Sequence, residues 1–319
     1  MKNSLNNELI EAIKEHLMED VNLVELLMEK LSIGKEAAYR RLRGEVPFTF
    51  YEAVIMANTM GLSLDQIAGM TLSTDAMFNI NLDKITSEDD YFYIVFSRYF
   101  DVLRYLTDES DAELFIASGI LPFPFYTSHA HLMKFQYVRW MHQHGKLERG
   151  KRMKDIEFSK NLSQILKKLP ELSECMPMTH LILDTKIFAD LTEHIRCYAD
   201  LGILSEEDVN ELKEELLTFL KTLEQIALEG AFSTGNKVDL YLSNMPFDTT
   251  YLYVEKKDFN ISFLFLYAID YIATQNPLVC KMHKEWIQSL KRYATLISQC
   301  GEVQRNVYFN AQRKLILSL

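Results

Sequence analysis

LVELLMEKLSIGKEAAYRRLRGEVPFTFYEAVIMANTMGLSLDQIAG, residues 23–69, decides how the chain begins. Leu23, Leu26, Leu27 and Leu31 recur at helical spacing and mark the inner side of a first helix. SIGK, residues 32–35, supplies a tight turn. In the following EAAYRRLRG, small Ala37 and Ala38 let a second helix cross the first closely, and Gly44 ends it. With Ala38 and Leu42 inward, the opposite face presents Lys35, Glu36, Tyr39, Arg40 and Arg43, while Arg41 lies near the boundary, where its stem can snorkel. A third helix carries Ala53, Ile55, Met56 and Ala57.

These helices, followed by Ala57-Asn58-Thr59-Met60-Gly61-Leu62-Ser63-Leu64-Asp65, resemble the lambda-repressor-like helix-turn-helix family, whose closing pattern is A-x-x-L-G-V-S-L-D. The resemblance covers about a fifth of the chain, and the remainder resembles no family we recognise. It implies that residues 1–72 form a DNA-binding head, that double-stranded DNA is the partner, and that the chain is a transcriptional regulator. Arg40 and Tyr39 are then expected to read bases in the major groove, with Lys35, Arg41 and Arg43 on backbone or bases. Thr49 and Tyr51, at the start of the next helix, are expected phosphate donors. Gly34, Lys35 and Glu36 replace the usual Gln-rich or Ser-rich opening of the recognition helix, and Glu36 would repel phosphate unless it accepts from a cytosine amine.

Charge narrows how such binding could work. The whole chain carries −11, the wrong sign for coating nucleic acid through phosphate neutralisation. Residues 1–75 hold seven Lys and Arg against twelve Asp and Glu, 7 − 12 = −5. Only residues 35–43 run the other way, with Lys35, Arg40, Arg41 and Arg43 against Glu36. Binding is therefore expected to be local.

The chain of 319 residues exceeds what one core usually serves, and its 11 Gly and 7 Pro against 19 Phe and 16 Tyr favour long helices over turn-rich sheet. The expected fold is mainly α, with a larger helical C-terminal domain and a small antiparallel sheet. A polar linker is placed at 73–90 and a regulatory or dimerisation domain at 91–319. YFYIVFSRYFDVLRYL, residues 91–106, reads as a buried helix, and the two prolines of GILPFPFYTS, 119–128, suggest a loop before a helix that ends at Gly145.

Residues 205–230 form the clearest helix, with Ser205 as N-cap, Asp208 three residues on, and Gly230 at the C-terminal cap. Val209, Leu212, Leu216, Phe219, Leu223 and Ile226 step alternately by three and four, a seam that is buried either in its own domain or against a second subunit of a homodimer. Leu217, Leu220 and Leu228 widen the apolar face. KVDLYLS (237–243), TYLYVEKK (250–257) and NISFLFLY (260–267) read as an antiparallel meander. Its aromatic residues, including Tyr241, Tyr251, Tyr253, Phe263, Phe265 and Tyr267, would either line a site for a small-molecule effector or simply pack a core. Two helices, 277–300 and 302–317, close the chain around Gly301.

Nothing points to an enzyme. No G-x-S-x-G, P-loop, dinucleotide fingerprint or H-E-x-x-H occurs, so neither catalytic residues nor a cofactor are expected. His129/His131 and His142/His144 form H-x-H pairs, but positions two apart on a helix point about 200° apart and cannot share one metal. Cys175, Cys197, Cys280 and Cys300 form no C-x-x-C, and the opening residues hold no signal core, so a reducing cytoplasm is the expected compartment. The most apolar run, 261–269, is far below the roughly 18–20 residues of a membrane span.

Overall fold

The computed structural model describes residues 4–15, 22–60, 62, 64–67, 78–80, 87–107, 111–257, 259–266 and 269–319. The chain divides into two compact units, Met1–Met77 and Phe78–Leu319. Of the linker expected over 73–90, only 78–80 and 87–90 lie among the described residues.

The first unit contains α1 (Ser4–Glu15), α2 (Leu23–Leu31), α3 (Lys35–Leu42), α4 (Phe50–Met60) and the single turn α5 (Leu64–Ile67). Their amphipathic faces meet in one core built on Leu9, Ile13, Leu27, Ala38 and Met56. Asn22 caps α2 by accepting from the Val24 amide at 3.1 Å. Between α2 and α3, Ser32 and not the glycine of SIGK takes the left-handed conformation, with φ 53°, while Gly34 is extended at φ −74°. Gly44 does take positive φ, 73°, directly after α3, as a C-terminal glycine should. Asn6 of α1 accepts from the Phe48 amide at 2.9 Å and so holds the loop that leads into α4.

The second unit is not a helical domain with a small antiparallel sheet. Its elements are β1 (Asn79–Ile80), α6 (Glu88–Thr107), β2 (Glu113–Ser118), α7 (Phe123–Tyr126), α8 (Ala130–Gln143), α9 (Lys160–Glu174), β3 (Met178–Asp184), α10 (Ile187–Asp200), α11 (Glu206–Glu229), β4 (Lys237–Ser243), β5 (Tyr251–Lys256), β6 (Phe259–Leu266), β7 (Asp270–Thr274), α12 (Pro277–Leu290), β8 (Ala294–Leu296) and α13 (Glu302–Leu317). One mixed sheet of eight strands runs β1-β7-β6-β5-β2-β3-β4-β8. The expectation of a mainly α chain is therefore corrected: β2, β3 and β4 are parallel neighbours, joined by the helical crossovers that parallel pairing requires. The expected meander survives only as β5 and β6, extended by β7. KVDLYLS pairs instead with β3 in parallel and with β8 antiparallel, because β2 and β3 lie between it and β5.

Alternation along the central strands buries both faces of this sheet. Leu114, Ile116, Leu181, Leu183, Leu240 and Val254 face the main core, which the helices α6 to α11 and α13 complete. Phe115, Ala117, Ile182 and Tyr253 face the other way, against Cys280 and Ile287 of α12. Polar contacts pin that helix and its exit: Lys284 pairs with Glu255, and Lys291 lies 3.1 Å from the His180 ring, which also contacts Asp239 and Glu113.

Two further local expectations change. GILPFPFYTS holds the short helix α7, because Pro122 and Pro124 fall at the N-cap and in the first turn, where no intrahelical amide bond is lost. The long helix expected over 277–300 stops at Leu290, and its last third turns into β8, an edge strand beside β4.

Helix α11 forms with both halves of its capping box in place and Gly230 left-handed at φ 65°. Its heptad seam is used up inside the unit. Leu212, Leu216, Phe219 and Leu223 belong to the main core, with Val209 and Ile226 packed against it, so this set is unavailable for pairing with a second subunit and its assignment to dimerisation is corrected. Burial sets the expected energetics. Leu216→Ala, at a fully buried position, should cost about 2–5 kcal/mol in urea unfolding, and Leu228→Ala, at 53 % exposure, under about 0.5 kcal/mol. Equal losses at the two positions would mean that the seam is not core.

Candidate nucleic-acid interface

Helix α3 is set by one small residue. Ala38 is fully buried where α3 crosses α2, and a larger side chain there would push the helices apart. That contact fixes the rotation of α3, so Lys35, Glu36, Tyr39, Arg40 and Arg43 all come out exposed, on the face expected from the sequence.

Arg41 is different. Its side chain is 15 % exposed and donates from Nε and Nη2 to Glu52 Oε1, at 3.0 and 2.7 Å. The other oxygen of Glu52 accepts from the Thr49 amide at 2.8 Å, and Thr49 Oγ1 accepts from the Glu52 amide at 3.3 Å. One carboxylate therefore closes a capping box at the start of α4 and ties α4 to α3. Arg41, expected among the DNA contacts, is engaged in this bridge in the structure. Thr49 stays exposed, although its oxygen now serves as the helix cap. Tyr51 is 74 % exposed, as an expected phosphate donor must be.

The remaining cations of the face have acidic neighbours. Arg43 donates to Glu45 at 2.7 Å and to Glu36 at 3.3 Å, and Arg40 lies 3.6 Å from Glu45. Counting Lys35, Arg40 and Arg43 against Glu36 and Glu45, the exposed face is close to neutral, +3 − 2 = +1. These pairs sit in water, where such contacts are weak and easily exchanged. A bidentate arginine contact to guanine is worth about 1–3 kcal/mol, so the guanidinium groups can exchange the acids for a base edge.

Phe50, beside Tyr51 at the start of α4, is 82 % exposed, and sequence reasoning missed it. Nothing in FTFYEA distinguishes it from Phe48, which is partly buried in the head core.

The second unit assembles neither of the other sites considered. Phe263 and Phe265 lie in the main core, and Tyr253 lies with Tyr241 and Tyr251 on the opposite sheet face under α12, so the expected aromatic set is split by the sheet. Tyr267 falls outside the described residues. Open clefts of about 360, 280 and 240 Å³ are lined by other residues, mostly polar. The four histidines diverge: His129 meets the Phe219 ring, His131 contacts Glu215, His142 contacts Tyr198, and His144 contacts the Trp140 carbonyl. Among the described residues no group of three or more metal-ligating side chains converges. No described helix is long and apolar enough to cross a membrane.

Comparison with protein-family models, with curated proteins and with solved structures finds no match for this chain.

Partial burial alone would raise the Glu52 carboxyl, but hydrogen bonds from Arg41 and Thr49 outweigh it and hold the group below its ordinary value. A carboxyl lowered by folding contributes stability that is complete above its unfolded value of about 4.3 and disappears as the pH falls through the lowered folded value. Glu52→Gln should therefore destabilise the head by about 1–3 kcal/mol at pH 7 and by progressively less below about pH 4. The measurement is thermal unfolding followed across that range, and a destabilisation that does not shrink in acid would contradict the bridge.

Proposed function

We propose that this chain is a sequence-specific, DNA-binding transcriptional regulator whose first unit reads duplex DNA through α3. The observation that carries this reading is the exposure of Lys35, Tyr39, Arg40 and Arg43 on the short second helix of a tight helix-turn-helix pair. The first turns of α3 would enter the major groove, with Arg40 and Tyr39 at base edges and Lys35 and Arg43 near the backbone. The start of α4, with Thr49 and Tyr51, would meet phosphate. Two heads of a homodimer would engage half-sites about 34 Å apart or a multiple of that. The second unit would then serve assembly or sensing, in the cytoplasm, without catalysis.

A nearly neutral face changes what kind of DNA binder this would be. With only Lys35 and Arg43 placed near the backbone to release counterions, each head should show a shallow salt dependence, a log–log slope of about −2 by the rule of about 0.9 per phosphate contact. Specificity would then rest on base contacts more than on phosphate attraction. A second reading has its own observation: Phe50, exposed beside Tyr51, and the acids paired to Arg40 and Arg43 suit a protein partner that uses the helix-turn-helix fold without DNA.

The two readings separate in one experiment. For a duplex selected from random sequence by the full chain, Arg40→Ala should weaken binding by about 5-fold to 150-fold, the range of one bidentate base contact. Tyr39→Ala should weaken it too, while Phe50→Ala should leave it within about twofold. No selectable duplex at low salt would favour the protein-docking reading, and loss of duplex binding with Phe50→Ala alone would contradict the placing of Arg40 and Tyr39 at the base edges.

A further inference from the structure

Helix α12 has one side against the sheet and one in water. Cys280 and Ile287 are buried under it, and Lys284 pairs with Glu255. On the side turned away, Leu278, Met282 and Trp286 are exposed by 67, 68 and 41 %. A single exposed apolar side chain is ordinary, but three at spacing i, i+4, i+8 make a continuous apolar ridge, and contiguous exposed apolar surface marks association.

The ridge has a fixed shape and a charged flank. The indole of Trp286 lies on the Tyr251 ring of β5, with 4.2 Å between ring centres, which sets where it stands on the surface. Beside the ridge run Lys281 and Glu285, whose side chains are 73 and 63 % exposed and lie 4.0 Å apart. An exposed pair this loose exchanges partners readily.

The pattern is complementary to itself. A twofold axis lying in the interface sets two copies of α12 antiparallel and brings the same flank of each together. With the axis level with His283, Lys281 stands two positions before it and Glu285 two after, so each faces the opposite charge on the second copy. In the same register Trp286 stands three positions after the axis. On the reversed helix Met282 and Leu278 stand one and five positions out, so the ring meets the gap midway between them, twice by symmetry. One register satisfies both the charges and the shapes. A foreign partner has no reason to match both rows, whereas a second copy matches them by identity.

We propose that the outer face of α12 is a homodimer surface, and that its occupant is α12 of a second copy paired antiparallel about His283. The pairing does not rest on the DNA-binding reading and its test involves no DNA, although two heads on one dimer are what paired half-sites require.

Sedimentation of the full chain decides it, together with acrylamide quenching of tryptophan fluorescence. One helix pair is a small contact beside the roughly 1,200 Å² at which standard interfaces begin, so half-association is expected at about 1–100 μM. Across that range the mass should rise from one chain to two while quenching falls, because of the two tryptophans Trp140 is already buried and Trp286 is the one to be covered. Met282→Glu, which sets two like charges beside the axis, should leave a monomer with an unchanged far-ultraviolet spectrum. Lys281→Glu and Glu285→Lys should each weaken association about tenfold, and the two together should restore it to within about twofold. A chain that stays monomeric throughout would overturn the proposal, as would a dimer that survives Met282→Glu or is not restored by the double exchange. Shielding of Trp286 that does not depend on concentration would overturn it too, since the cover would then belong to the same chain.

Discussion

The carboxylate of Glu52 is the joint on which the head turns. It receives two donors from Arg41 of α3 and the amide of Thr49 at the start of α4, so one group satisfies a shielded cation and an orphan helix amide together. Shielding raises the stakes of that contact. Exposed pairs such as Arg43 with Glu45 can break for little free energy, whereas a partly buried pair that loses one member leaves a charge stranded away from water. The same face of α3 thus carries two kinds of arginine: Arg41 holds the architecture, and Arg40 and Arg43 stay free to exchange partners. Fully buried Ala38 sets the rotation that separates them.

The second unit follows a different constraint. Its central strands β2 and β3 are covered on both faces, by a thick layer of helices on one side and by α12 on the other. Covering both faces draws the heptad seam of α11 into its own unit, with only Leu228 of its widened apolar face left exposed. It also separates aromatic residues that are close in sequence, since Phe263 and Tyr253 face opposite layers.

What could be read from the residues was local. The helices of the head follow from apolar spacing, from Asn22 as a cap and from Gly44 as a stop, all settled within a few positions. The exposed members of α3 follow from the same period. Arg41 could not be placed, because its partner lies eleven residues away across a helix crossing. The strands β2 and β3 were hidden for a physical reason: LFIA and LIL are apolar on consecutive positions, as burial on both faces demands, and so show no alternation. KVDLYLS looked like part of a meander because adjacent segments usually pair, yet two strands from earlier in the chain intervene. Phe50 carried no signal at all, since a single exposed aromatic has the same local pattern as a buried one.

The account's central claim is that the outer side of α3 is a surface that meets duplex DNA. Amide hydrogen exchange of the full chain, with and without a genomic fragment that the chain retains, tests it most directly. The account predicts new protection concentrated in residues 35–43 and at the first turn of α4. Protection confined to the second unit, or no fragment retained at low salt, would contradict it.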